Sequence, residues 1–544
     1  MKNIDLLIKN GTVFDGTGAE PFEADIGVAG DKIAFVIQNS KFKIQNPKKV
    51  IDAKGLAVSP GFIDTHAHSE FTLLADPRAE GKLLQGITTE INGNCGLSAA
   101  PLYNEAAEHR ENDIKELKIK ERWKTFGEYF RILEKKGIAL NFLTLAGHGS
   151  IRASAVGYKD KRPGKIEMRK MQVLLRQAID AGAIGLSTGL IYPPGIYSDT
   201  EELIELCRYL NGNSKFKIQN SKFIYTSHMR SEGKNLIESI KEVIRIGKEA
   251  DVRVHISHIK TSGKGNWDKI DEAIALIEDA RRKGIRVTCD RYPYTASSTD
   301  LDTILPSWTY DGGTEEELRR LKNPEMREKI RKEILYEHPV SDYWKRVSVS
   351  SVSSQKNKWM EGKTLTFISG RINNSPVDAL FKILIEEKLR AGAIFSSMRE
   401  DNLERFLSLP YVMIGSDSSA RSRTGLTCKG KPHPRGFGSF PRFLGKYVRD
   451  NKLMSMTSAV HKITMLPART FGINGRGVLK KGAFADIVVF DPERIIDKAT
   501  FDKPFLKPEG IYYVIVNGLP EVWEGEITGA TAGKILRNQG YLPR

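Results

Sequence analysis

The segment Gly61-Phe62-Ile63-Asp64-Thr65-His66-Ala67-His68 holds two imidazoles at alternate positions next to an apolar run. Strand alternation sends His66 and His68 to one face, where both can converge on a single metal ion. Three more candidates close short apolar segments: His228 in Tyr225-Thr226-Ser227-His228, His258 in His255-Ile256-Ser257-His258, and Asp417 in Met413-Ile414-Gly415-Ser416-Asp417. The chain has only 10 histidines, so four of them at segment ends, joined by an aspartate, are difficult to attribute to packing. Cys95, in Asn92-Gly93-Asn94-Cys95-Gly96, follows another apolar run. Alone it reads as a small buried thiol. Among imidazoles a thiolate is a good Zn²⁺ ligand, and the metal keeps it deprotonated. The chemistry indicated is that of a bound metal ion.

Such ligands need a scaffold that brings distant segments to one point. From Gly61 onward, short apolar strands alternate with longer charged, helix-like segments, the rhythm of βα repeats. The candidate strands are Phe62–His66, Thr88–Ile91, Phe142–Ala146, Ile184–Ser187, Ile224–His228, Val254–His258, Arg286–Cys289 and Val412–Gly415. Eight units predict an α/β fold, a TIM-like (β/α)₈ barrel with its site at the C-terminal strand ends, where the candidate ligands stand. A doubly wound open sheet is the alternative that strand count leaves open. The stretch before Gly61 reads as short strands separated by Gly and Asp, and β texture returns after Gly472 in Ala485–Phe490 and Ile511–Val516. The expected organisation is therefore a small β-sandwich built from both chain ends (residues 1–60 and 473–544, the latter with a C-terminal tail) around a barrel at 61–472. Residues of about 300–405, between the seventh and eighth strands, are too many for a plain connection and are expected to form an insertion above the barrel that could act as a lid.

Composition narrows the class. The 544 residues are 40% hydrophobic and 8% aromatic, which supplies a sizeable core and excludes a mostly disordered chain. No run approaches the roughly 18–20 apolar residues of a membrane span. Met1–Asp5 lacks the apolar core of a signal peptide. The four cysteines are widely spaced, so no disulfide framework is expected and a cytoplasmic setting is. Net charge is +17, but the basic residues are spread along the chain without an arginine-rich arm or nucleic-acid motif. Neither nucleic acid nor membrane is an expected partner; a small anionic substrate is compatible with the charge. The octamer Asn39–Asn46 recurs identically as Asn213–Asn220, which reads as a repetitive insertion at two permissive loops.

Taken together, these residues resemble the amidohydrolase superfamily, over nearly the whole chain. More narrowly they resemble the N-acyl-D-amino-acid deacylases, or D-aminoacylases. That narrowing rests on the Cys95 segment, Gly185-Leu186-Ser187-Thr188-Gly189-Leu190-Ile191-Tyr192-Pro193-Pro194-Gly195, Ser257-His258-Ile259-Lys260, Asp290-Arg291-Tyr292-Pro293-Tyr294 and His433-Pro434-Arg435. Many amidohydrolases bridge two metals with a carboxylated lysine from the fourth strand. Here that strand carries Gly185-Leu186-Ser187 and the second supplies Cys95, the same exchange the deacylase subgroup makes. The resemblance implies one zinc held by Cys95, His228 and His258, and a weaker second position formed by His66, His68, Cys95 and Asp417. It also implies that Tyr192, Lys260, Tyr292, Ser298 and Arg435 bind the substrate carboxylate or polarise its amide carbonyl. Asp417 would serve as general base and then acid in hydrolysis of an N-acyl-D-amino acid. Ser418 departs from the glycine of the family pattern, and the loop before Arg435 differs too, changes that bear on the side-chain pocket. Opening of a cyclic amide, as in dihydropyrimidinases or hydantoinases, is the nearer alternative activity, and a non-catalytic barrel scaffold the more distant one.

Overall fold

The structure is a computed structural model that describes residues 4–38, 46–212 and 223–538. Apart from Asn46, both copies of the octamer repeat lie outside the described residues.

Eight parallel strands form the barrel. We number them β1 (Phe62–Asp64), β2 (Ile87–Asn92), β3 (Asn141–Thr144, continued by Ala146–Gly147), β4 (Gly185–Gly189), β5 (Ile224–His228), β6 (Arg253–Ile256), β7 (Val287–Arg291) and β8 (Val412–Ile414). Each pairs in parallel with its sequence neighbour, β1 to β3 in one run and β3 to β8 in another. The two runs join where Leu145 N donates to Asn92 O (2.9 Å) and Ile184 N to Thr144 O (3.0 Å). Closure of β8 onto β1 lies at the site itself: Asp417 N donates to His66 O at 2.8 Å and His68 N to Ser418 O at 3.1 Å. Sequential order and this closure exclude the doubly wound sheet.

The strands are buried almost throughout, as expected of parallel strands covered on both faces. Helices cover the outside. Leu236–Glu249 is typical: Leu236, Ile240, Val243 and Ile246 are buried on one stripe and face the strands. Helix Phe126–Lys136 starts with a Thr125–Glu128 capping box, which satisfies two amide donors that the first turn leaves unpaired.

Both chain ends meet in one nine-stranded sheet. Ile487–Phe490 pairs antiparallel with Ala57–Pro60, linking the C-terminal strands Ile511–Val516 and Leu519–Trp523 to the N-terminal strands Leu6–Val13, Phe22–Ala29 and Lys32–Gln38. Alternate residues such as Leu6, Ile8, Val28, Ile487 and Val489 form its core. Between β7 and β8 stands a unit with its own sheet (Ala296–Asp300, Val347–Ser351, Gly392–Ser396) and its own apolar core, which includes Leu301, Leu321, Ile330, Leu380 and Leu384. Ile196 and Tyr197, from the loop after β4, pack against that core. Among the described residues, no helix is long and apolar enough to cross a membrane.

Candidate metal centre

The six candidate ligands, drawn from five strand ends, lie at one point. Their ring, thiol and carboxylate atoms meet because each ends or follows its strand at the C-terminal end of the barrel. Three expected strands end earlier than the sequence suggests. β1 stops at Asp64, β6 at Ile256 and β8 at Ile414, so His66, His68, His258 and Asp417 stand just beyond the regular strands. A bridge between Ala67 and Ser418 keeps the His66–His68 segment extended, so its alternation persists. Three ligands leave the extended conformation altogether: Cys95 (φ 53°), His258 (φ 36°) and Asp417 (φ 49°) are left-handed. Such backbone costs about 1–3 kcal/mol per non-glycine residue and clusters at sites where geometry matters more than stability. Gly93 makes the Cys95 turn possible, since a Cβ there would stand 2.2 Å from Leu145 O.

The distances test whether a metal fits. Tetrahedral zinc, with bonds of about 2.3 Å to sulfur and 2.0–2.1 Å to nitrogen, sets S and N about 3.6 Å apart. Cys95 Sγ stands 3.6 Å from His228 Nδ1 and 3.5 Å from His258 Nε2. It is also 3.2 Å from His66 Nε2. Asp417 Oδ1 lies 3.3 Å from His68 Nε2 and 3.6 Å from His66 Nε2. Three ligand groups result, His66/His68/Cys95, Cys95/His228/His258 and His66/His258/Asp417, and Cys95 belongs to two of them. The set fits zinc.

The charge balance points the same way. Burial opposes a thiolate at Cys95, but the neighbouring imidazoles hold its pKa well below the ordinary thiol value. Burial likewise opposes ionisation of Asp417, which Arg435 and His66 hold well below the usual carboxylate range. Burial disfavours a cationic His68, yet the Asp417 carboxylate raises it to about 9. Without a metal, the anions are balanced by protonated imidazoles; a divalent cation does the same while freeing those nitrogens to ligate.

Behind the ligands stand groups whose role residue type and spacing do not reveal. Asp290, at the end of β7, is fully buried; its Oδ2 lies 3.3 Å from His66 Nδ1 and 2.8 Å from His255 Nε2, and its Oδ1 accepts the His258 amide at 2.6 Å. Glu232 Oε1 is 2.7 Å from His258 Nδ1 and also binds Lys260 Nζ. A carboxylate on the far nitrogen of a ligating histidine fixes its tautomer and raises its basicity. Buried Lys82 joins Asp64 (2.8 Å) and Glu90 (2.7 Å) and donates to Ser418 O (3.0 Å), which pins the β1–β8 closure. Asp64, His255, Lys260 and Asp290 fall within motifs visible in the sequence, whereas Lys82, Glu90 and Glu232 carry no such signal.

The five expected substrate contacts ring the same space. Arg435 is buried; its Nη1 stands 2.9 Å from Asp417 Oδ2 and its Nη2 donates to Ser298 O at 3.2 Å. Its guanidinium lies over the Tyr292 ring at 4.6 Å, and the buried Tyr292 hydroxyl has no hydrogen-bond partner among the described residues. Tyr192 meets the His228 ring edge-on at 5.0 Å and shares a 2.9 Å hydrogen bond with Thr299 Oγ1. Lys260 Nζ is 2.8 Å from His258 Nδ1 as well as bound to Glu232, so its charge already has a partner.

The family model for the Amidohydrolase family matches residues 49–301 and 411–520. The chain belongs to the amidohydrolase family. The stretch of this amidohydrolase between the two matched segments, 302–410, is the body of the insertion between β7 and β8. It is 35% identical over 534 residues to a D-aminoacylase of Alcaligenes xylosoxydans xylosoxydans, covering 98% of this chain and 97% of that one. It resembles the crystal structure of the N-acyl-D-glutamate deacylase of Bordetella bronchiseptica, solved with zinc and a phosphonate inhibitor, at a TM-score of 0.81, with 32% identity and coverage of 98% and 100%. The L-hydantoinase of Arthrobacter aurescens shares the fold of this amidohydrolase at 17% identity, with a TM-score of 0.53 and coverage of 98% and 100%.

Proposed function

We propose that this chain is a zinc-dependent N-acyl-D-amino-acid deacylase, hydrolysing a linear amide to a carboxylate and a free D-amino acid. The observation that carries the reading is Cys95, set between the His228/His258 pair and the His66/His68 pair at zinc-ligand spacing, with a guanidinium beside the same cluster. The full-length similarity to a D-aminoacylase and to an N-acyl-D-glutamate deacylase supports it.

Cys95, His228 and His258 would hold one zinc, and His66, His68, Cys95 and Asp417 a second, weaker position. Zinc held there supplies Lewis acidity that activates water at neutral pH and polarises the amide carbonyl. Asp417 takes the proton of the attacking water and passes it to the departing amide nitrogen, acting first as base and then as acid. Arg435 reaches Asp417 and could reach a substrate carboxylate, and its two-pronged fork suits that carboxylate. The unpartnered Tyr292 hydroxyl supplies a further donor, and Ser298 lines the same wall. Lys260 adds positive charge while orienting His258 through Glu232. Tyr192 donates to the carbonyl oxygen as negative charge develops there. Four free cysteines are consistent with a reducing, cytoplasmic setting.

The cyclic-amide alternative predicts a carboxylated lysine on β4, where this chain has Gly185–Gly189 without lysine. The discriminating experiment offers zinc-loaded protein N-acetyl-D-methionine and dihydrouracil in parallel. Release of D-methionine with dihydrouracil untouched supports the deacylase; the reverse result overturns it.

A further inference from the structure

Arg435 is the first residue of the helix Arg435–Arg442, so its backbone amide has no partner within that helix. The side chain of His433 supplies one: its Nδ1 accepts from Arg435 N at 3.0 Å. The far side of the same ring reaches the insertion, where Nε2 lies 3.0 Å from Ala296 O. An amide can only donate and a carbonyl can only accept. The two contacts therefore leave one arrangement, with Nδ1 bare and the hydrogen on Nε2. A proton on Nδ1 would set donor against donor and break the contact with Arg435. Burial, and then the Arg435 guanidinium, hold the imidazole well below the ordinary histidine range, which keeps that arrangement in place.

The partner strand, Ala296–Asp300, is shared with the guanidinium. Its one edge is taken by Gly392–Ser396. Ala296 and Ser298 turn their carbonyls to the other, as alternate residues of an antiparallel pair do. Ala296 O meets His433, and Ser298 O accepts from Arg435 Nη2 at 3.2 Å. Arg435 is thus tied to one strand twice, through its amide by way of His433 and through its fork directly. The imidazole has little room to turn. It is 5% exposed, the rings of Tyr294 and Phe501 meet it edge-on at 5.1 and 5.0 Å, and Tyr292 stands at 6.0 Å.

We propose that His433 is the positioning residue of the carboxylate clamp: by spanning Ala296 O and the Arg435 amide, it sets where the Arg435 guanidinium meets the substrate's α-carboxylate. This rests on the clamp reading of Arg435 given above and adds the residue that holds it. His433 acts through Arg435 alone, so its contribution belongs to substrates that carry a carboxylate. A fork displaced by about 1 Å can cost on the order of 10²-fold in rate.

The test compares N-acetyl-D-methionine with N-acetyl-3-(methylthio)propylamine, the same amide without its carboxylate, on zinc-loaded protein. Wild type should favour the acid in kcat/KM. His433→Phe keeps an aromatic ring and loses both hydrogen bonds. It should retain zinc while the acid-to-amine ratio falls by about 10- to 100-fold, mainly through KM for the acid. His433→Asn places an oxygen near the position of Nδ1 and should recover part of the ratio. In an Arg435→Ala background, His433→Phe should move the ratio no further. An unchanged ratio, or an equal loss on acid and amine, overturns the inference while the clamp stands. Should His433→Phe fail to fold, His433→Asn and His433→Gln each spare one of the two bonds, and a wild-type ratio in both overturns it equally. A wild type that hydrolyses the acid no better than the amine removes the clamp, and hydrolysis of neither removes the deacylase reading; the inference falls with either.

Discussion

Replacing Cys95 by serine is the perturbation that tells most about the metal centre. The side chain is 5% exposed and its sulfur lies within 3.2–3.6 Å of three imidazoles, so the exchange removes a thiolate from two ligand groups at once. The change in shape is slight, and serine faces the same left-handed backbone at φ 53°, so the fold should persist. The consequence falls on the metal. Removing a partner one step behind a ligand typically costs about 10–100-fold in affinity. Losing a shared ligand should cost more than about 100-fold, because an alcohol replaces a charged, soft donor. The assay is zinc content by mass spectrometry after passage over a chelating column, with circular dichroism on the same sample. The variant should melt cooperatively, lose its zinc and hydrolyse almost nothing. Stoichiometric zinc with wild-type turnover would return Cys95 to the status of an ordinary buried thiol, and the argument from ligand spacing would fail.

Asp417→Asn should retain its fold and much of its zinc while kcat falls by about 10²–10⁴, the span of a general-base effect; a rate within tenfold of wild type removes Asp417 from that role. Arg435→Lys should leave the zinc in place and weaken turnover of acyl-amino acids, because charge remains but the fork is lost; equal hydrolysis by wild type of an N-acyl amine lacking the carboxylate would contradict the clamp. Metal uptake should depend on pH in a site-specific way. Burial opposes protonation of His68, but Asp417 raises it to about 9, so the proton must leave before His68 can ligate. Occupancy of the second position should therefore climb as pH rises toward about 9, while the Cys95/His228/His258 position, its thiol already held low, fills at lower pH; a second metal that binds better at pH 6 than at pH 9 contradicts this.

Residue types that do metal chemistry are rare, which is why the site was largely legible in one sequence. His66, His68, His228, His258 and Asp417 stand out as polar residues closing apolar runs, and the βα rhythm supplies the geometry that gathers them. The roles of Asp290 and Glu232 do not show in the sequence, because carboxylates are common and these act only once the ends of β1, β5, β6 and β7 converge. Lys82 reads as a surface charge on a helix, yet it is fully buried between two carboxylates. The apolar run places the end of β6 at His258, but alternation gives no warning of a left-handed residue, which depends on the Asp290 carboxylate capturing the His258 amide. The pairing of Arg435 with Asp417 was equally invisible, since it joins a loop to a strand end through space. The insertion was legible as excess length alone; its separate core required the packing of Leu301, Leu321, Ile330 and Leu380.

The central claim is a stereospecific amide hydrolysis, and racemic N-acetyl-methionine tests it in one measurement. Zinc-loaded protein should release free amine until half of the racemate is consumed, and chiral chromatography should show D-methionine as the product. Release of L-methionine, release from both enantiomers at similar rates, or no release with zinc bound would contradict the account.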